Sequence, residues 1–200
     1  MITTILVYVS LILTIGGMIP YLIDVVKKKT KPRIVSWGVW SVLTAIAGVA
    51  SYADGQYPTA WLMLAACITT LSVVVLGYRN GDHSLETLDI ICLIGAAMGL
   101  VLWWYSGSAT LAVLVTVIID FVGVIPTLVH SWKKPHEETW ITFAAGGLGG
   151  LATMLAVDAW VVTSVAYPIY IVIANTLIAT VILSRKKYAV SQIPQELRRL

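Results

Sequence analysis

The sequence predicts an all-α integral membrane protein of seven transmembrane helices, built as two parallel three-helix repeats joined by a linker helix. Three observations lead there. The 200 residues are 58% hydrophobic and 12% charged, with a mean hydropathy of +0.89, which needs lipid rather than water as solvent. The basic residues fall only in alternate connections between apolar runs. The chain also matches itself when Pro20 is laid on Pro126, a displacement of 106 residues.

A crossing takes roughly 20 mostly apolar residues, and seven stretches qualify: 3–26, 34–53, 58–78, 85–105, 109–131, 139–158 and 162–184. The first lacks a basic leader and is too long for a signal-peptide core, so it is expected to be the first helix. Asp54-Gly55, Asn80-Gly81-Asp82 and Ser106-Gly107-Ser108 supply turn chemistry between later stretches. The first connection holds Lys27, Lys28, Lys29, Lys31 and Arg33, the third Arg79, the fifth Lys133 and Lys134, and the tail Arg185, Lys186, Lys187, Arg198 and Arg199. Cytoplasmic loops retain Lys and Arg, so the N-terminus is expected outside and the C-terminus in the cytoplasm. A multi-pass protein of a bacterial or archaeal cytoplasmic membrane follows. Trp61, Trp103, Trp104 and Trp160 then fall near the outer interface, and Trp37, Trp132 and Trp140 near the inner one, as aromatic belts do.

The displacement of 106 matches Lys27 with Lys133, Trp61 with Tyr167, Thr70 with Thr176 and Arg79 with Arg185. In the second helix of each half the offset is 103, pairing Trp37 with Trp140 and Trp40 with Phe143, because the fifth loop is shorter. The expected organisation is a first repeat over 1–80, a linker helix over 81–106, a second repeat over 107–187 and a cytoplasmic tail over 188–200. Parallel repeats related by an axis along the membrane normal place a substrate site at their interface near mid-membrane.

Several classes are disfavoured. The basic residues form no stripe, which argues against nucleic acid. Cys67 and Cys92 lie in apolar runs as small hydrophobes, and His136-Glu137-Glu138 are adjacent and cannot converge on one metal. No nucleophile motif or phosphate loop is present, so no enzyme, cofactor or metal is expected. A retinal receptor needs a lysine deep in the last helix, whereas Lys186 and Lys187 stand at its end.

Among the apolar stretches a few residues stand out. Pro20 and Pro126 each remove a helical hydrogen bond and free the carbonyls of Gly16 and Val122, as either a static kink or a hinge. Asp120 lies near the middle of the fifth helix with no base expected at that depth. An ionised carboxylate there is expensive, so it should be protonated, hydrated or bonded to a ligand. Asp24 and His130 share the offset of 106, and pseudo-symmetry could pair them as a gate at the inner mouth. Gly146-Gly147 and Gly149-Gly150, with Gly95 and Gly99, let helices approach closely.

At Gly17-Met18-Ile19-Pro20-Tyr21 with Lys27-Lys28-Lys29, and again at Gly123-Val124-Ile125-Pro126-Thr127 with Lys133-Lys134, the chain resembles the PQ-loop and SWEET transporter superfamily over its whole length. Tyr21 and Thr127 stand where that family usually has Gln, and the literal Pro194-Gln195 lies in the tail. The resemblance implies a carrier of a small polar solute, sugar-like or amino-acid-like, with the two prolines as hinges of alternating access. It implies a substrate contact at Asn175 in the last helix, whose counterpart is Thr69, and a pocket aromatic at Trp160. Proton-coupled members use an acidic residue in the fifth helix, which makes Asp120 the expected proton site. The same architecture also serves cargo reception, so a ligand-binding receptor or sensor is the alternative. Oligomeric state stays open, since two repeats in one chain suffice to enclose a pocket.

Overall fold

The computed structural model of the chain describes residues 2–85 and 87–191. The end of the expected tail, with Pro194-Gln195, Arg198 and Arg199, lies outside the described residues. Seven α-helices follow one another among them: α1 (Ile2–Val26), α2 (Ile34–Ala53), α3 (Tyr57–Gly77), α4 (Thr87–Ser106), α5 (Ala109–Lys133), α6 (Trp140–Ala156) and α7 (Val162–Ser191). A single 3-10 turn, Pro135–Glu137, precedes α6. Five of the helices, α1, α2, α3, α5 and α7, are long and apolar enough to cross a membrane. At 17 residues α6 is shorter, and α4 is not among the five. The chain is an all-helical protein whose long apolar helices are those of a multi-pass membrane protein.

The polarity of its surface and interior agrees with that. Along α1 Ile5, Tyr8, Ile12, Ile15, Ile19 and Ile23 are among the exposed side chains, at steps of three or four residues, which is an apolar stripe turned outward. The buried set includes Ser10, Ser51, Thr59, Thr116, Asp120, Thr153 and Ser164. Lipid is as apolar as a core, so polar groups collect between helices, where they find partners.

The turns form where the sequence places them. Gly55 and Gly107 take φ of +74° and +63°, which other residues adopt reluctantly. At Gly81 an added Cβ would stand 2.5 Å from Ile34 and 2.8 Å from the Pro32 carbonyl, so the third connection closes tightly on the first. Ser108 caps α5 by accepting from the Leu111 amide.

Six helices close a ring in the order α1, α3, α2, α5, α7, α6, and α4 lies outside it against α5 and α2. Contact positions give the directions. Ser10 meets Thr153 and Asp24 meets Thr139, so α1 and α6 are antiparallel. Ser41 meets Thr70 and Gly48 faces Met63, so α2 and α3 are too. Tyr167 meets Asp120 and Arg185 meets the Trp132 carbonyl, so α5 and α7 run parallel. Every described Lys and Arg consequently stands at one end of the ring, the basic end.

The first three ring helices meet the last three along two seams of different character. Between α1 and α6 the approach is close: a Cβ on Gly17 would fall 2.2 Å from the Ala145 Cβ, and one on Gly149 would fall 2.7 Å from the Thr14 hydroxyl. Between α2 and α5 the packing is of larger apolar side chains, Val39, Leu43 and Ile46 against Val113 and Ile119.

Candidate functional site

The ring encloses a cavity of about 120 Å³, small beside the roughly 300 Å³ at the lower end of ligand pockets. Four pairs of its lining residues occupy equivalent positions in the two halves. Thr14 pairs with Asp120, Met18 with Val124 and Thr69 with Asn175 at the offset of 106, and Trp40 pairs with Phe143 at 103. The lining also takes in Trp37 and Thr142, in the first turns of α2 and α6, so the cavity extends from mid-helix toward the basic end.

Asp120 is buried in the cavity wall, and its carboxylate accepts a hydrogen bond from the Tyr167 hydroxyl of α7. The Tyr170 hydroxyl and the Trp40 indole lie close enough to steady its charge. Tyr170 and Trp40 line the cavity while Tyr167 stands behind it, fully buried. The sequence argument offered protonation, water or a ligand as ways to settle this carboxylate; neutral O–H and N–H donors from α7 and α2 are a fourth. Trp40 is held in turn by Trp37, whose ring lies 5.1 Å away edge-on, and Trp37 packs at 5.0 Å against Tyr21. Trp37 is therefore an interior residue, 6% exposed, and not part of an interfacial belt.

Asn175 and Thr69 both face the cavity. The Asn175 amide donates to the Ile171 carbonyl one turn back, at 3.0 Å, and its Oδ1 lies against Gly146, where a Cβ would come within 3.2 Å. Thr69 donates to Ala66 of its own helix. The hydroxyls of Thr14 and Thr142 line the cavity buried and with no hydrogen-bond partner, so the wall keeps unused polar capacity.

Trp160 is not in the site. The helix ends at Ala156, and Trp160 falls in the irregular connection beyond it, 68% exposed at the end opposite the basic loops. Asp24 and His130 are not brought together either. Asp24 accepts from Thr139 at 3.1 Å, and His130 faces Glu137 at 3.2 Å and Glu138 at 3.9 Å. The loop before α6 supplies nearer partners to both. Glu138 is largely buried there; burial and the neighbouring Glu137 push its carboxyl up to about 7, with Lys186 opposing.

Pro20 and Pro126 lie inside α1 and α5 as expected. A third internal proline, Pro168 in α7, has a more visible consequence. It frees the carbonyl of Ser164, and the Thr59 hydroxyl of α3 donates to it at 2.6 Å. Beside it the Ser51 hydroxyl donates to the Thr163 carbonyl at 3.1 Å, and the Thr163 hydroxyl donates to Asp54. Thr59, Ser51, Thr163 and Ser164 are all buried, so the end opposite the basic loops is tied shut across the two halves. A proline within an apolar stretch and a hydroxyl two residues into the third helix were the sequence signals for this tie.

Compared with protein-family models, curated proteins and solved structures, the chain matches none.

Proposed function

We propose that the chain is a seven-helix carrier for a small polar solute, working by alternating access between two parallel three-helix repeats that share the central cavity. The observation that carries this reading is the cavity wall itself, which takes in positions equivalent by offset in pairs: Thr14 with Asp120, Thr69 with Asn175, Trp40 with Phe143. A binding site on the axis between repeats is what such a carrier needs. The gathering of the described Lys and Arg at one end supports an outside N-terminus in a cytoplasmic membrane. The tie through Thr59 and Pro168 at the other end then corresponds to a state closed to the outside, with the cavity reaching toward the cytoplasm. Its small volume fits a conformation that must open to admit a solute.

Flux in proteoliposomes tests the reading. A carrier moves solute across the bilayer, and Pro20→Ala with Pro126→Ala lowers that flux with folding preserved. Saturable binding with no flux identifies the receptor alternative instead. Labelling of cysteines placed at the exposed Ser106 and Ser84 checks the orientation: Ser106→Cys should react from outside and Ser84→Cys only after permeabilisation.

A further inference from the structure

We infer that the cavity selects a compact monovalent organic cation, an ammonium or quaternary ammonium group, which displaces a proton from Asp120. The inference deepens the carrier reading by naming the solute class, and it rests on the cavity being that carrier's site.

Asp120 is buried in the cavity wall at the middle of α5, and a lone ionised carboxylate at that depth is costly unless something positive accompanies it. The surroundings supply nothing positive. From α7 it is faced by Tyr167 and Tyr170, and from α2 by Trp40, all neutral donors. On the α4 side α5 meets Gly95 through Ile119. No Lys, Arg or His is among the described residues that line the cavity. The tyrosine and indole donors soften the charge without cancelling it. Neutrality has to come from a proton or from the solute.

The rest of the wall decides which cations can take that place. Trp37, Trp40, Phe143 and Tyr170 line the same cavity as the carboxylate. Aromatic faces attract weakly hydrated organic cations, whereas a divalent metal ion would leave one positive charge uncancelled beside the single carboxylate of this lining. Opening admits the cation, and the cavity of about 120 Å³ in this conformation then has room to hold only a compact one.

The exchange balances. As the cation enters, the carboxyl O–H bond breaks and the proton leaves to solvent. One positive charge replaces another, and no oxidant or second reactant is involved. The protonated and cation-bound forms are both neutral at the carboxylate, and the empty ionised form is the expensive one. Movement of cation in one direction is therefore tied to movement of a proton in the other.

The test uses the purified full chain in lipid nanodiscs and weak buffer, with methylammonium, tetramethylammonium and choline as probes. Tryptophan fluorescence reports occupancy, because Trp37 and Trp40 line the site, and a pH indicator reports released protons. On the acid side of the titration the apparent affinity should improve about tenfold per pH unit, with one proton released per cation bound. The uncharged isostere of choline, 3,3-dimethylbutan-1-ol, should bind at least about tenfold more weakly. Asp120→Asn should lose both cation binding and proton release, while Asp120→Glu should keep both. The isostere comparison on the unaltered protein holds even if a variant folds poorly. Failure of all three cations to bind, pH-independent binding without proton release, or equal affinity for the isostere overturns the proposal. Flux of a neutral solute with no cation binding also overturns it and leaves the carrier standing. Cation binding with proton release but no flux supports it and removes the carrier.

Discussion

At the cavity the first half contributes Thr14, Met18, Trp40 and Thr69, and the second half answers from the equivalent positions with Asp120, Val124, Phe143 and Asn175. The cavity thus presents a single set of charged and amide chemistry, all of it from one side. The neighbours explain why. Tyr167 and Tyr170, which lie beside Asp120, correspond at the offset of 106 to Trp61 and Leu64, and both of those are exposed on the outer surface. A carboxylate at position 14 has no matching hydroxyls waiting for it. Positions equivalent by offset share the ring, and α5 and α7 alone carry its polar pole.

Exchanging that pole between the halves should have the largest effect. Thr14→Asp combined with Asp120→Thr moves the carboxylate to the side without tyrosine donors, leaving a buried charge poorly compensated, at a cost of about 3–5 kcal/mol. Ligand binding should be lost and the melting temperature should fall well below that of Asp120→Asn alone. Retained binding in the exchange variant would show the two poles to be interchangeable.

The seams between the halves offer the next contrast. Gly17→Ala sets a methyl group against the Ala145 Cβ, which should destabilise by roughly 1–3 kcal/mol. The adjacent Gly16 has open space where a Cβ would go, so Gly16→Ala should be neutral or slightly stabilising, since Ala is the better helix former. Thermal melting of the two single variants in the same detergent separates them. Similar melting temperatures would mean that α1 and α6 are not held at this separation.

A pH contrast follows from the loop before α6. At the offset of 103 Glu138 corresponds to Val35, so the first half buries no carboxylate at that place. The Glu138 carboxyl holds its proton up to about 7 when folded, against an ordinary 4.5. Below pH 4.5 both the folded and unfolded forms are protonated, and above it the unfolded chain gains by ionising while the folded one does not. Its contribution to stability is therefore fully present in acid, falls as pH rises toward about 7 and is flat beyond. The change should be of order 1–3 kcal/mol, and melting curves of Glu138→Gln should lose that part of the pH dependence. An unchanged profile would assign the dependence to other groups.

The smallest effect distinguishes the amide from its counterpart. Asn175→Ala should weaken ligand binding by about tenfold, roughly 1.4 kcal/mol, with little change in melting temperature. Thr69→Ala should weaken it less, because that hydroxyl has given its one hydrogen to the Ala66 carbonyl, whereas Asn175 keeps a second amide hydrogen after donating to Ile171. Equal losses would indicate a symmetric contact with the ligand; a large fall in stability for Asn175→Ala alone would make it a tie to α6.

Much was determined along the chain itself. Apolar length marked the helices, glycines at Gly55 and Gly107 marked turns, and the offset of 106 named Thr69 and Asn175 as a pair before any contact was known. These features are local or periodic, so they leave their mark in residue order. Asp120 was legible for the same reason, as a charge where lipid depth forbids a bare one. Tertiary structure decided which neighbours answer such residues. Tyr167 meets Asp120 from 47 residues further along the chain, with Tyr170 on the same helix, and Thr59 answers a carbonyl that Pro168 frees more than a hundred residues later. Sequence depth put Trp37 at an interface, and the resemblance put Trp160 in a pocket; the rotation of α2 turned the first inward, and the end of α6 at Ala156 left the second outside. Asp24 and His130, equivalent by repeat, found Thr139 and the Glu137–Glu138 pair, because a side chain bonds what is nearest in space and the short fifth loop put those groups there first. Periodicity fixes what each helix can offer, whereas its rotation about its own axis and its neighbours in the ring, which depend on packing with all the others at once, fix what it meets.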